Sequence, residues 1–189
     1  QKDPLFVVRP LLKHLNEAFQ WKRKPSEYLS IGQSIVPYDK KVLLHQHSIS
    51  KPLEKCYKMW CLADDDGYIY KIVMNGDELE LPLNSQLRNR FGFNGALVLT
   101  LLRDIKEKHH KVFMRRSFAS VSLFEQLRSQ GIYACGAVSP NTQGLPQLKS
   151  DKDLPRGRFD FMSSPSGVTV FKWMNIQPVH LISNYHGIS

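Results

Sequence analysis

The stretch KVFMRRSFASVSLFEQLRSQGIYACGAV, residues 111–138, decides the fold class because it reads as a strand, a helix and a second strand. Lys111–Met114 and Ile132–Val138 are rich in the aliphatic and aromatic side chains typical of strands. Between them the pattern predicts a helix from about Ser120 to Gln130, which Gly131 ends. A unit of this kind predicts an α/β (α+β) fold with a mixed sheet.

The residues before this unit predict a helix, three strands and a second helix. Apolar residues at helical spacing indicate an amphipathic N-terminal helix over Pro4–Gln20. A strand follows at Ser30–Tyr38, and a β-hairpin is predicted from Tyr57–Ala63 and Tyr68–Met74. The second helix is predicted from about Asn94 to Lys108.

The residues after the unit predict a loop or small insertion and then the terminal strands. Ser139–Gly167 is rich in Pro, Gly, Ser and charge, whereas Val168–Trp173 and Val179–Ser183 are consistent with one more hairpin. We therefore divide the chain into an N-terminal helical segment (1–28), a core (29–140), and a loop or insertion with the terminal strands of the same domain (141–189).

Composition and charge limit the classes of function. With 189 residues, 42% of them hydrophobic, the chain can bury a full core as one domain. Its 26 Lys and Arg against 17 Asp and Glu give a net charge of +9, which suits a polyanionic partner but does not distinguish a binding patch from a solvated surface. No apolar run is long enough to span a membrane, so we expect a soluble protein.

The residue types that commonly bind metals are not arranged as a site. Asp64, Asp65 and Asp66 precede Gly67, which favours a hairpin turn because successive turn side chains splay apart. His109 and His110 are predicted to lie at a helix end, where cations interact with the helix dipole, and His180 in a strand as a structural, hydrogen-bonded residue. The three cysteines lack CxxC spacing and predict reduced core thiols; they are Cys56, Cys61 and Cys135.

Several segments together resemble piggyBac-type transposases, whose fold is ribonuclease-H-like. Residues 29–38 read Leu-Ser-Ile-Gly-Gln-Ser-Ile-Val-Pro-Tyr, and the family strand reads Leu-Ser-Ile-Asp-Gln-Ser-Met-Val-Pro-Tyr. Residues 118–146 are similar to the segment that follows the family's Asp-Asn-Phe-Phe-Thr-Ser. Further landmarks are Lys51, Pro52, Tyr57, Lys58, Trp60, Gly67, Tyr68, Arg156, Gly157, Trp173 and Val179–Asn184.

The resemblance implies three aspartates that hold two divalent cations for strand transfer. The first of these positions aligns with Gly32, which has no side chain, and the second with Arg115, which is permanently cationic. The third is expected beyond Ser189. Because a divalent cation needs oxygen ligands, the sequence predicts a degenerate transposase with no metal, no cofactor and no catalytic residues.

The resemblance also implies contacts with DNA phosphates, and these are partly replaced. The family's Lys-Gln-Phe-Ile-Arg-Gly-Lys-Pro becomes residues 45–52, His-Gln-His-Ser-Ile-Ser-Lys-Pro, and both arginines of its Gly-Thr-Val-Arg-x-Asn-Arg segment are absent from residues 136–142. Fewer cations weaken binding to a polyanion. The candidate phosphate contacts that remain are Lys40, Lys41, Lys51, Arg115 and Arg116.

The sequence thus predicts a catalytically inactive piggyBac transposase-derived domain that acts as a nuclear interaction or scaffold module associated with chromatin. We expect a protein partner, and we expect neither a membrane nor a small-molecule substrate. Two alternatives stay open. One is an active transposase or nuclease with a different register, in which Asp39 or Asp104 holds the metal. The other is a sequence-independent DNA-binding domain without chemistry.

Overall fold

The computed structural model describes residues 5–37, 56–74, 85–105 and 109–187. Three helices accompany one mixed eight-stranded sheet in these ranges. None of the described helices is both long and apolar enough to cross a bilayer. The helices are α1 (Arg9–Lys22), α2 (Ser85–Leu101) and α3 (Val121–Ser129), and the strands are β1 (Tyr28–Pro37), β2 (Cys56–Asp64), β3 (Ile69–Met74), β4 (Lys111–Met114), β5 (Tyr133–Ala137), β6 (Phe159–Ser163), β7 (Thr169–Met174) and β8 (Pro178–Ser183).

The strand order confirms the predicted mixture of hairpins and crossover connections. Neighbouring strands follow the order β3-β2-β1-β4-β5-β8-β7-β6. The strands β1, β4 and β5 run parallel to one another, and every other neighbouring pair is antiparallel. The unit β4-α3-β5 is the strand–helix–strand unit predicted from residues 111–138, and β7-β8 is the predicted terminal hairpin.

One face of the sheet packs on α2 and α3 and holds the main core. Residues that alternate along each strand, such as Leu29 and Ile31 in β1 and Val112 and Met114 in β4, point to this side and are buried. Burying each such side chain contributes roughly 1.5–3 kcal/mol. The helices contribute Leu97, Val98, Leu101, Leu123, Phe124 and Leu127 to the same cluster.

The opposite face is covered by α1 at one end only. There Leu5 of the preceding turn packs with Ile72 and Met74 of β3 in a second, smaller cluster. From β1 to β6 no described element covers this side, and five aromatic side chains on it are between 39% and 58% exposed. We call this surface the open face; its exposed aromatic residues are Tyr28, Phe113, Phe159, Phe161 and Trp173.

Helix α1 is also bound to the outer edge of the sheet by one buried side chain. Asn16 is 8% exposed, its Nδ2 donates to the carbonyl oxygen of Ile72 at 2.9 Å, and its Oδ1 accepts from the amide of Ile72 at 2.7 Å. Both backbone groups belong to β3, which among the described strands has a neighbour on one side only. The amide of Asn16 therefore takes the place that a further strand would occupy.

The structure corrects three predicted boundaries. β6 lies within Ser139–Gly167, where the sequence predicted a loop or insertion. The prediction was wrong because Pro and Gly residues on both sides of the five strand residues dominate the local composition. α1 begins at Arg9 rather than at Pro4. α2 begins at Ser85, nine residues before the predicted start at Asn94, and Gly92 interrupts it with φ of 70° and ψ of 179°.

Candidate functional site at the carboxyl ends of β1 and β4

The sheet brings Gly32 and Arg115 next to each other. β1 and β4 are parallel neighbours, and Ile31 pairs with Met114, so Gly32 and Arg115 are the next residues along the two strands. In α/β sheets, ligands bind beyond the carboxyl ends of parallel strands. Ile31 points into the main core, so Gly32, the next residue of β1, points to the open face, whereas Arg115 directly follows the end of β4. The two residues that align with the family's aspartates thus both lie where the pairing of β1 with β4 ends.

Gly32 leaves room for a side chain that it does not have. It pairs with Cys61 of β2, and a Cβ atom added at Gly32 would meet no heavy atom within 4 Å. The neighbouring Gln33 and Ser34 are exposed and carry no carboxylate. The backbone at this position would accept an aspartate, whose carboxylate oxygens glycine cannot supply.

Arg115 begins the turn after β4 and extends into solvent. Its carbonyl oxygen accepts a hydrogen bond from the amide of Phe118 at 3.0 Å, and Arg115, Arg116 and Ser117 are all exposed. The ion pairs found among the described residues include neither arginine. The site therefore carries positive charge where a divalent cation would require negative ligands, so the residues present do not fit the family's metal pair.

The carboxylates of the described residues lie away from Gly32 and Arg115, and they bind hydrogen-bond donors or cations of the protein. Asp64 is buried, accepts from the amide of Tyr68 at 2.9 Å and from the hydroxyl of Tyr70 at 3.0 Å, and lies 3.2 Å from Nη2 of Arg23. Burial, followed by the hydrogen bond to Asp64, raises the pKa of Tyr70. Gly67 has φ of 82° and its amide bonds the carbonyl of Asp64, which confirms the predicted hairpin turn.

Asp104, a candidate of the active-enzyme alternative, faces the helix side of the sheet. Its Oδ2 lies 2.9 Å from Nζ of Lys71, whose side chain is only 7% exposed. Lys71 pairs with Leu62, a residue of the main core, so this ion pair lies on the face opposite to Gly32. Among the described residues, no group of three or more His, Cys, Asp or Glu side chains could hold a metal ion. Asp39 lies outside the described residues, as do Lys40, Lys41 and Lys51.

The two adjacent histidines do not end a helix, which corrects the prediction. The last described turn before them is a 3-10 segment at Arg103–Ile105, and His110 directly precedes β4. The His110 ring is buried with Nδ1 2.7 Å from the carbonyl oxygen of Ser26, and its own carbonyl accepts from the amide of Tyr133. Its role is to join the start of β4 to the chain before β1.

The described cysteines are free thiols, as predicted. Cys61 and Cys135 are half-buried on β2 and β5, and burial is the first cause that raises the pKa of each. A raised pKa keeps a thiol protonated and unreactive at neutral pH.

Lys172 and Asn184 are buried polar residues that the sequence did not indicate. Lys172 of β7 and His180 of β8 are paired across the hairpin, on the same side as the core residues Val170 and Ile182. The alternation of inward and outward side chains along β7 could have indicated the position of Lys172, because it places Lys172 on the buried side with Val170. Asn184, directly after β8, is fully buried and joins α3 to β5 through its side chain.

Comparison with known proteins gives relatives along the whole length of the chain. Residues 1–189 match the family model described as Transposase IS4. The chain is 28% identical over 193 residues to human PiggyBac transposable element-derived protein 2, and 30% identical over 194 residues to human PiggyBac transposable element-derived protein 3. Each alignment covers 98% of this chain and 32% of the relative, so the chain spans about a third of the length of these proteins.

The fold also matches a solved structure. A cryo-EM structure of a piggyBac transposase synaptic complex with hairpin DNA aligns with a TM-score of 0.78 and 16% identity, over 98% of this chain and 39% of that chain. This likeness confirms the ribonuclease-H-like fold predicted from the sequence.

Proposed function

Since the chain belongs to the Transposase IS4 family, we propose that it is a piggyBac transposase-derived domain that has lost its metal-dependent chemistry and serves as a nuclear protein-interaction module. The resemblance to piggyBac-type transposases is confirmed by the human relatives and by the shared fold. The loss of catalysis, the interaction role, the nuclear location and an association with chromatin belong to the proposal.

The observation that carries the proposal is that Gly32 and Arg115 directly follow Ile31 and Met114, the last paired residues of β1 and β4. A divalent-cation site at this location needs carboxylate oxygens from both strands, and these two residues supply none. The arginine adds a cation that opposes metal binding. The core around both positions is intact, so the fold persists without the chemistry.

The open face supports the interaction role. It presents Tyr28 and Phe113 as a stacked pair with ring centroids 6.4 Å apart, and Phe161 and Trp173 are exposed farther along the sheet. Exposed aromatic side chains are enriched at protein interfaces. The expected occupant is an apolar surface of a partner protein.

We expect calorimetry of the chain to detect no saturable binding of Mg²⁺ or Mn²⁺, and we expect no cleavage of DNA ends in the presence of either ion. The reason is the absence of carboxylates at Gly32 and Arg115. A catalytically active piggyBac transposase assayed in parallel serves as the positive control. A tight two-cation site, or metal-dependent cleavage, would overturn the loss of chemistry.

Affinity purification followed by mass spectrometry tests the interaction role. We expect proteins retained by the wild-type chain to be depleted at least fivefold by Phe113→Thr combined with Phe161→Thr, because removing an aromatic anchor from an interface costs about 2 kcal/mol or more. Both side chains are exposed, so the fold should persist. The matched control is Trp21→Gln, an exposed aromatic residue on α1. Equal retention by the open-face variant and the control would contradict the proposal.

A further inference from the structure

β6 is an edge strand of the described sheet, and the hairpin that it forms with β7 shows which of its backbone groups face outward. At one end of the hairpin the amide of Ser164 donates to the carbonyl oxygen of Val168 at 2.8 Å. At the other end the carbonyl oxygen of Arg158 accepts from the amide of Met174 at 2.9 Å. Bonded and non-bonded pairs alternate along an antiparallel ladder, so the even-numbered residues of β6 direct their backbone groups to β7.

The backbone groups of Phe159, Phe161 and Ser163 consequently point away from β7. The described residues form no hydrogen bond with the outward amides and carbonyls of these three residues. Proteins commonly protect an edge strand with lysine, proline or a bulge. The sequence of β6, Phe-Asp-Phe-Met-Ser, contains neither lysine nor proline, and the strand pairs with β7 without a shift in register. Such an edge is a template for pairing with another strand.

We propose that β6 pairs antiparallel with β6 of a second copy of this chain, about a two-fold axis that passes through Phe161. In this pair Phe161 faces Phe161 of the second copy, and Phe159 of each copy faces Ser163 of the other. Each of the three facing pairs exchanges two hydrogen bonds, so every outward amide and carbonyl of β6 gains a partner. The contact is isologous and closes with two copies. This inference goes beyond the proposed function, because it requires no other protein.

The charge and the backbone of β6 favour this register over the two neighbouring ones. An axis through Asp160 would place the two Asp160 carboxylates directly opposite each other, and like charges at such positions are destabilising. An axis through Met162 would place Phe159 opposite Pro165, whose backbone nitrogen has no hydrogen to donate. With the axis through Phe161, Asp160 faces Met162 instead, and both of these losses are avoided.

The aromatic side chains of β6 fit the same pairing. Phe161 is 39% exposed on the open face, and its ring centroid lies 6.3 Å from that of Phe159 and 6.3 Å from that of Phe171. In the proposed pair the two Phe161 side chains become cross-strand neighbours, and Phe159 of the other copy lies on the diagonal. Aromatic pairs across neighbouring strands stabilise a sheet. The aromatic rows of the two copies would thus become one.

The net charge of the chain predicts how the pair responds to salt. Each copy carries a formal charge of +9, so two copies repel each other. Salt screens this repulsion and leaves the backbone hydrogen bonds in place, so we expect dimerisation to tighten as the NaCl concentration rises. Association bridged by nucleic acid would weaken with salt, because it depends on phosphate contacts.

The test is sedimentation velocity of the 189-residue chain over a concentration series, with charged variants at position 161. We expect the wild-type chain to form a dimer. Phe161→Lys and Phe161→Glu should each weaken dimerisation by about tenfold or more, because like charges then face each other across the axis. An equimolar mixture of the two variants should recover a dimer, since opposite charges then meet. The control is Leu11→Lys, which makes the same charge change at an exposed residue of α1 and should leave dimerisation unchanged.

Amide hydrogen exchange of the wild-type chain locates the contact without depending on the folding of any variant. We expect the amides of Phe159, Phe161 and Ser163 to exchange more slowly as the protein concentration rises, because the dimer bonds them. The amides of Asp160 and Met162 already bond β7 and should change little. A wild-type chain that stays monomeric, position-161 variants that dimerise like Leu11→Lys, or a mixture that does not recover the dimer would overturn the proposal.

Discussion

Replacing Asn184 with alanine is expected to lower the free energy of unfolding by about 3–5 kcal/mol, the largest loss from any single polar substitution proposed for this chain. Asn184 is fully buried, and its Nδ2 donates to the carbonyl oxygens of Phe124 and Ile132, each at 3.0 Å. Its Oδ1 accepts from the amide of Ala134 at 2.6 Å. The alanine variant removes these three hydrogen bonds at once and leaves the buried amide of Ala134 without its acceptor.

Urea unfolding followed by circular dichroism measures this loss. Asn175→Ala is the matched control, because Asn175 is exposed in the turn between β7 and β8 and should change the stability by less than about 0.5 kcal/mol. Asn184→Asp is a second informative variant, since it keeps the acceptor for Ala134 but loses both donated bonds. Similar stabilities for Asn184→Ala and Asn175→Ala would show that the side chain does not hold α3 to β5.

Restoring two carboxylates at the degenerate site is expected to create a binding site for Mn²⁺ where the wild-type chain has none. In the double variant Gly32→Asp and Arg115→Asp, each acidic side chain would directly follow one residue of the last β1–β4 pair, Ile31 and Met114. The space at Gly32 accepts a Cβ without a close contact, and Arg115 is exposed, so both changes should leave the fold intact. Two carboxylates can hold a hard divalent cation, which completes its shell with water.

The matched control is the double variant Gly32→Asn and Arg115→Asn, which has the same shape without the charge. We expect calorimetry to give at least tenfold weaker Mn²⁺ binding for this control and for each single aspartate variant. If the asparagine and aspartate pairs bind Mn²⁺ equally, Gly32 and Arg115 do not occupy the former metal site.

The parts of the fold that the sequence predicted are those with strong local signals. Gly131 and Ser120 bracket α3, and Ser120 accepts the amide of Leu123 as an N-cap, so the helix has chemical signals at both ends. The Asp-Gly turn at 66–67 marks the hairpin in the same way. The candidate site depended on alignment with a family motif, and the structure adds only that the two positions are adjacent.

The features that the sequence could not predict depend on contacts between distant segments. Asn184 bonds groups that lie 50 to 60 residues before it, and no local pattern indicates such partners. Lys172 likewise finds its polar partners only when the segment containing Lys149 and Asp151 folds over β7. β6 is short and borders Gly and Pro residues, so its pairing with β7, rather than its own composition, makes it a strand.

The amide of Asn16 determines how the sheet could grow. Because Asn16 occupies both outward backbone groups of Ile72, another chain cannot continue the sheet past β3 at that residue. At the opposite edge strand, β6, no side chain among the described residues bonds the outward backbone groups in this way, and Phe159 and Met162 are exposed. Among the described strands, β6 is therefore the edge through which a second copy could extend the sheet, and two copies paired through β6 would bury this edge in both.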